Sequence, residues 1–387
     1  MTKNAFALRR AIGAFAIAAL IGFAMVSCDT AETGCGNYLA CGCGYCPGTG
    51  CGCAGLTVPT LAEIMAGMTQ IAANNFTQGQ AGIAEPTRQV TLTRPFYISQ
   101  HVVTQELFQA VMGVNPSRLH GGGTSDRWPA GGDVQGRRPV EMVNWYHAIA
   151  FANRLSLLKG LEPVYVLTPN PANWAAGNAD TWVFANVPTG NNANWNQVRK
   201  NPEANGFRLP TEAEWEFAAR GGSSSSSTNT QWGFGDNAGD LGNHAWYGIS
   251  WASGGRSREV GLKAPSVTIG SSGDGLYDMH GNVWEWVWDR YLPYEAAAVT
   301  DPMVPPAGIG ADVQPPGLIE NPSWGQPGFT GQRWIWPGGG RRVARGGGWA
   351  SASEETASAY RNSFVPIDRG SALGFRLARN APAPASP

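Results

Sequence analysis

A chain whose backbone is interrupted by glycine or proline every few residues cannot build its core from long helices, and this one carries 52 Gly and 27 Pro beside 16 Trp. Glycine weakens regular elements and proline ends them. Most of the backbone must therefore run as turns and loops, with large indole rings clamping the few regular elements together. The length of 387 residues and the 43% hydrophobic share suffice for a substantial core, in one large domain or two ordinary ones. Only 14% of residues are charged and the net charge is −1, which leaves no basic footprint for nucleic acid.

Residues 1–27 read as an export signal, with Lys3, Arg9 and Arg10 ahead of an apolar run over 11–26. That run is short for a membrane-spanning helix. It ends in Met25-Val26-Ser27-Cys28, similar to a lipoprotein signal box in which Cys28 becomes the lipidated first residue. The alternative is an ordinary cleaved signal or a membrane anchor. The expected location is exported and lipid-anchored, at the outer membrane or cell surface. A Gly-rich tether over 28–55 then holds Cys35, Cys41, Cys43, Cys46, Cys51 and Cys53. An even number of thiols in an oxidising compartment favours disulfides. A soft-metal site on the close pairs Cys41/Cys43 and Cys51/Cys53 is the alternative, although no spacing matches a standard zinc module.

Beyond the tether, Leu61, Ile64, Met65, Met68 and Ile71 fit one amphipathic helix within 56–80. This gives a helix and linker over 56–89, a single domain over 90–379, and a Pro/Ala tail over 380–387 with nothing to bury. Residues 163–205 and 295–340 are rich in Asn, Pro, Gly and Trp and read as surface excursions. Three helices have clear punctuation. Thr104 can cap a helix that Gly113 ends, and Asn144 one with Gly160 just beyond. In Thr211-Glu212-Ala213-Glu214 the Thr hydroxyl and the Glu214 carboxylate can form a capping box, with Trp215, Ala218 and Ala219 on the buried face and Gly221 closing the helix.

Five segments, taken in order, resemble the formylglycine-generating enzyme family, also called the sulfatase-modifying factor domain. They are Phe96-Tyr97-Ile98 with Val103-Thr104; Arg138-Pro139-Val140 with Val143-Asn144-Trp145; Gly206-Phe207-Arg208-Leu209-Pro210 continuing through Thr211 to Glu216; Gly275-Leu276-Tyr277-Asp278-Met279-His280-Gly281-Asn282-Val283-Trp284-Glu285-Trp286; and a closing stretch over 345–376. The resemblance covers nearly everything from Val90 to Ala378 and implies an α+β fold of the C-type lectin type, loop-rich and low in regular secondary structure.

A family fixes a fold more firmly than an activity. In the family's oxygen-dependent enzymes, a pair of cysteines after the Arg-Gly-Gly motif binds copper and carries the oxidation of a substrate cysteine. Here 345–376 has no Cys, and none follows Cys53. Neither Ala nor Ser replaces a thiolate as a copper ligand, so no copper and no catalysis are expected. The resemblance also implies a structural calcium on the fourth segment, held by the Asp278 side chain, the carbonyls of Gly281 and Val283, and the Glu285 carboxylate, a mixed oxygen set that suits this ion. Alternatively Asp278 and Glu285 satisfy buried backbone N–H groups without metal. A second calcium site known in some members lacks matches around 243–246.

The closing stretch is similar to the variable region that diversity-generating retroelements rewrite by adenine-directed copying. Its fixed frame is met by Arg345, Gly346, Gly347, Trp349, Arg361, Pro366, Arg369, Leu373, Gly374, Phe375 and Arg376. The sites left to vary, and hence to bind ligand, are Ala350, Ser351, Ala352, Tyr360, Asn362, Ser363, Phe364, Val365, Asp368, Gly370, Ser371 and Ala372. Each holds a residue reachable by randomising the adenines of an AAC codon. Glu354 and Glu355 are not reachable and are excluded. Tyr360, Phe364 and Val365 would be affinity anchors, or else Tyr360 and Phe364 simply complete the core. Trp349, Arg361 and Phe375 would hold the scaffold.

The expected function is a surface lipoprotein that displays a diversified binding site for a protein on another cell or host surface, with no nucleic acid as partner. One alternative is an enzyme of the family with a non-copper activity, which would need titratable groups converging in one cleft. His101, His120, His147, His244 and His280 are scattered along the chain. The other is a structural or maturation lipoprotein with an invariant partner.

Overall fold

The computed structural model describes residues 56–118, 129–167, 179–222, 229–269, 274–303 and 340–382. The signal, Cys28, the tether cysteines, His120 and most of 295–340 lie outside the described residues.

Thr60 and Glu63 form a capping box on a short helix, α1 (Leu61–Ala66), and the backbone N–H of Gly67 caps its far end. The strands β1 (Met68–Ile71), β2 (Asn74–Gln80), β3 (Ala84–Leu92) and β4 (Phe96–Ser99) follow directly. The long helix expected within 56–80 is therefore corrected to one short helix and two strands. Met68 and Ile71, three residues apart, satisfy a helical period, but here both are buried on a strand paired antiparallel with β4. Residues 56–89 are thus the first strands of the domain and not a linker.

The punctuated helices form where expected. Thr104 caps α2 (Gln105–Met112), which ends on the left-handed Gly113, and Asn144 caps α3 (Trp145–Leu158). The chain then makes β5 (Tyr165–Val166), α4 (Ala193–Asn196), β6 (Arg199–Lys200) and β7 (Phe207–Arg208). After these come α5 (Glu212–Ala219), with both bonds of its capping box present, and α6 (Leu241–His244). The remaining strands are β8 (Val267–Ile269), β9 (Asp274–Leu276), β10 (Trp284–Arg290), β11 (Val299–Thr300), β12 (Arg342–Arg345), β13 (Asn362–Phe364), β14 (Leu373–Phe375) and β15 (Ala378–Asn380).

Two four-stranded sheets organise the domain, in the orders β1-β4-β15-β7 and β13-β12-β10-β14, beside a three-stranded sheet β11-β3-β2. Residues 342–376 supply the three strands that join β10 in its sheet, with β12 antiparallel to it, β14 parallel to it and β13 antiparallel to β12. Along β10, Trp284, Trp286 and Trp288 join one hydrophobic cluster while Val287 joins another, as the two-residue period of a strand requires. The indoles also tie layers together: Trp145 Nε1 donates to the Val287 carbonyl at 2.9 Å and Trp286 Nε1 to the Val143 carbonyl at 3.1 Å.

The expectation of a surface excursion over 163–205 is corrected too. Val164, Tyr165, Leu167, Trp182, Trp195 and Val198 are buried in the main cluster. Their asparagine-rich surroundings serve as local hydrogen-bond partners: Asn192 caps α4, and Asn153 exchanges bonds with the Tyr165 backbone.

Every glutamate of α5 is buried, and each meets arginine. Glu212 takes Arg361 on both oxygens, at 2.6 and 2.8 Å, and Glu214 takes Arg208 likewise at 2.6 and 2.7 Å. Glu216 accepts from Arg345 Nη2 at 2.7 Å, from Arg220 Nε at 3.1 Å and from the Gly79 N–H at 2.8 Å. On β10, Glu285 is held by Arg376 on both oxygens at 2.6 Å and by Trp215 Nε1 at 2.7 Å. Removing one partner of such a pair leaves a buried charge, a loss of about 3–5 kcal/mol. Glu216→Gln should therefore lower unfolding free energy by about 3 kcal/mol or more in urea denaturation, whereas Glu203→Gln, which loses only the exposed pair with Arg94, should leave the midpoint unchanged.

Candidate functional site

The closing stretch is fastened largely through its main chain. The Trp349 carbonyl accepts from the Ile249 N–H at 2.9 Å and the Ser351 carbonyl from the Gly248 N–H at 2.8 Å. Further along, the carbonyls of Pro366, Gly370 and Ala372 accept from the N–H groups of Trp145, Met142 and Trp284 at 3.0, 3.0 and 2.7 Å. Trp349 Nε1 donates to the Ser371 carbonyl at 3.1 Å, which joins the two ends of the stretch. Arg345 donates to the carbonyls of Ser358, Ala359 and Tyr360, folding the middle of the stretch around its guanidinium.

Between these fastenings lie the twelve candidate ligand residues. Ala350 and Ala352 are exposed, while Tyr360, Asn362, Phe364, Val365, Asp368, Gly370 and Ser371 are half-buried. Ser351, Ser363 and Ala372 are only 5%, 9% and 9% exposed, so their expected role as direct contacts is corrected. The Ser351 hydroxyl accepts from the Gly348 N–H, the Ser363 hydroxyl from Arg341, and Ala372 lies against Gly348. Tyr360 and Phe364 pack on the core without being closed off by it. Each packs on a β10 indole, Trp284 at 6.0 Å and Trp286 at 5.6 Å between ring centroids, yet stays partly open to solvent.

Glycines separate the frame from the variable positions. Gly346 and Gly347 have φ of 90° and 75°, and a Cβ at Gly374 would meet the Val140 carbonyl at 2.6 Å. None of the three accepts a side chain without strain. Gly370 has no positive φ, and a Cβ there would sit 3.7 Å from Leu373, ordinary contact.

The calcium set does not fit the arrangement of its residues. Both Glu285 oxygens are taken by Arg376, and the Asp278 oxygens accept from the Gly261 N–H at 2.9 Å and from Asn282 Nδ2 at 3.2 Å. The Gly281 N–H is bonded to the Gly346 carbonyl, so this turn supports the start of the closing stretch. Val283 packs with Val102 and Val260. The rings of His280 and His244 serve backbone. His280 is fully buried, with Nδ1 on the Thr356 carbonyl and Nε2 accepting from the Gly233 N–H, and burial pushes its pKa down to about 3. His147 is bonded to Asn144, His244 to the Pro265 carbonyl, and His101 lies on Tyr277.

Sequence reading missed the loop over 248–255, which borders 349–351, and its Trp251, whose ring lies 6.0 Å from that of Trp349. A tryptophan inside a Gly/Ser-rich loop is the signal that marks it.

Residues 55–381 match the sulfatase-modifying factor enzyme 1-like domain. Among solved structures, Treponema denticola variable protein 1 aligns with a TM-score of 0.62 and 36% identity, over 81% of this chain and 95% of that one. The chaperone protein LppX of Paenibacillus barcinonensis is 29% identical over 305 residues, 76% of this chain and 82% of its own length. The formylglycine-generating enzyme of Streptomyces coelicolor is 30% identical over 197 residues, 48% of this chain and 51% of the enzyme, so the chain spans about half of that protein.

Burial pushes the Asp278 carboxyl up to about 6, outweighing its bonds to Gly261 and Asn282. A carboxyl raised in the folded state stabilises below its ordinary value near 3.8, and that contribution disappears as pH rises through about 6. The melting temperature of Asp278→Asn, compared with the unsubstituted protein from pH 4 to 7, should gain progressively on it. A rise in melting temperature on adding calcium at pH 7, lost in Asp278→Asn, would instead assign the turn to the metal.

Proposed function

Because this chain belongs to the sulfatase-modifying factor enzyme 1-like family, with its α+β, C-type lectin-like scaffold, we propose that it presents a diversified ligand-binding surface on that scaffold and catalyses no oxidation. One observation carries the reading. The bonds that fasten 345–376 run largely through main-chain atoms and through Arg345, Trp349, Arg361, Ser363 and Arg376, while among the described residues the side chains of Ala350, Ala352, Val365 and Ser371 hold none of them. Such side chains can change without loosening the frame.

Likeness to a variable protein over 95% of that protein's length supports the reading, as does the lack of any cysteine after Cys53. Export with a lipid on Cys28 completes it and places the surface outside the cell, where the ligand is a protein of another cell or host. Among the described residues no helix is long and apolar enough to cross a membrane. The second reading, a maturation lipoprotein with an invariant partner, draws on likeness to the protein named chaperone LppX over 82% of that chain.

Three measurements test this. Tyrosine at Ala350, Ala352 or Gly370 should change stability by no more than about 0.5 kcal/mol, while Gly374→Ala, whose new Cβ meets the Val140 carbonyl, should lower the melting temperature clearly. Sequencing the locus in sister isolates should find substitutions concentrated at Ala350, Ala352, Tyr360, Phe364, Val365 and Gly370, with 206–216 unchanged. Equal constancy of both stretches would sink the display reading and favour the invariant partner. An aldehyde formed on a Cys-containing sulfatase peptide in the presence of copper would restore the enzyme.

A further inference from the structure

Four arginines punctuate 345–376, and three of them are buried against glutamate: Arg345 on Glu216, Arg361 on Glu212 and Arg376 on Glu285. Arg369 differs. Among the described residues it has neither a hydrogen bond nor an ion pair, although its Nη2 is shut off from solvent. The adjacent carboxylate does not serve it: Asp368 accepts from the Val365 N–H at 2.9 Å, and burial raises its pKa against the pull of that bond and of Arg341. The titratable group that senses its charge is His147, a buried imidazole held down at about 3, by burial first and then by Arg369. A guanidinium half-withdrawn from water without an acceptor is a standing cost. Its planar fork is shaped for a bidentate acceptor.

A second arginine without a carboxylate partner among the described residues, Arg118, lies on a segment fastened to the same backbone. The Met142 N–H is bonded to the Gly370 carbonyl, and the Glu141 N–H one residue earlier to the Ser117 hydroxyl. Arg369 therefore precedes, and Arg118 follows, a residue fastened to one of two consecutive positions, Met142 and Glu141. Arg118 is exposed and lies 5.6 Å over the face of Trp251, which neighbours Trp349, itself bonded to Ser371.

We propose that Arg369, assisted by Arg118, is a fixed anchor for carboxylates of an acidic loop on a protein partner, and that the variable positions decide which loop is accepted. This rests on the display reading above. Charge complementarity selects the occupant: two arginines without carboxylate partners border a surface whose Asp368 is engaged with its own loop. The apolar and aromatic groups of the same stretch that reach solvent, Ala350, Tyr360, Phe364 and Val365, suit amino-acid side chains.

A phage-displayed library of random loops selected on the full chain in detergent tests it. Selected loops should be enriched in Asp and Glu. They should bind at least about tenfold more weakly to Arg369→Gln, with a smaller loss on Arg118→Gln, and their Asp→Asn versions should no longer distinguish Arg369 from Gln. Arg369→Gln breaks no hydrogen bond or ion pair among the described residues, so an unchanged melting temperature will certify its fold. Loops weakened by Phe364→Ala or Tyr360→Ala but indifferent to Arg369→Gln would overturn the anchor and leave the display reading standing. Loops indifferent to all four substitutions, or no loops recovered, would overturn both. Displacement of the loops by inorganic phosphate at millimolar concentration would replace the carboxylate with a general anion site and overturn the assignment to protein side chains.

Discussion

The domain depends on a buried cluster of opposite charges in which α5 faces the closing stretch. Arg345 and Arg361 come from that stretch, and Glu212 and Glu216 from a helix more than a hundred residues earlier. Alone, either carboxylate would be too costly to bury. Together with Arg220 and the Gly79 N–H, the four side chains satisfy one another and bring three distant parts of the chain to one place. Apolar contact is non-directional, whereas a bidentate pair fixes distance and angle. In a fold poor in long helices and strands, the charge pairs do the aligning that a regular lattice of backbone bonds does elsewhere.

That constraint explains how a surface can be rigid in its backbone and free in its side chains. The Arg345 guanidinium holds three successive carbonyls, those of Ser358, Ala359 and Tyr360, and Trp349 ties the far end through the Ser371 carbonyl. Main-chain acceptors exist at every residue whatever its side chain. The positions where chain identity does matter are those where a Cβ has no room, such as Gly374, or where φ is positive, as at Gly346 and Gly347.

The three capped helices were legible because their signals are local: Thr104, Asn144 and Thr211 each bond a backbone N–H three residues on. The helix expected over 56–80 failed because a three-residue spacing of Met68 and Ile71 is also compatible with a short strand whose first and last residues are buried. Residues 163–205 were misread because composition near Tyr165, Trp182 and Trp195 is that of a loop, while the burial of those rings depends on α3 and β10. Glu285 was offered to calcium because the sequence shows a carboxylate on a turn but not the arginine ninety-one residues later that occupies it. Frame residues Arg345, Arg361 and Arg376 were recognised as fixed, yet their acceptors could be named only from the fold. Ser351, Ser363 and Ala372 share the codon pattern of their neighbours, and only packing separates them from the exposed positions.

The same accounting bears on chemistry. Acid–base catalysis needs a titratable group free to exchange a proton near neutrality. Around the closing stretch, Glu212, Glu214, Glu216 and Glu285 are each committed to arginine, and His280 is held neutral between a carbonyl and an N–H. Groups committed in this way stabilise a frame and are poorly placed to turn over a substrate. Arg369 is the exception within the stretch, and an arginine keeps its proton across the physiological range. What it offers is recognition of a negative group, so the one cation of the stretch without a hydrogen bond or ion pair among the described residues supports the proposed binding role.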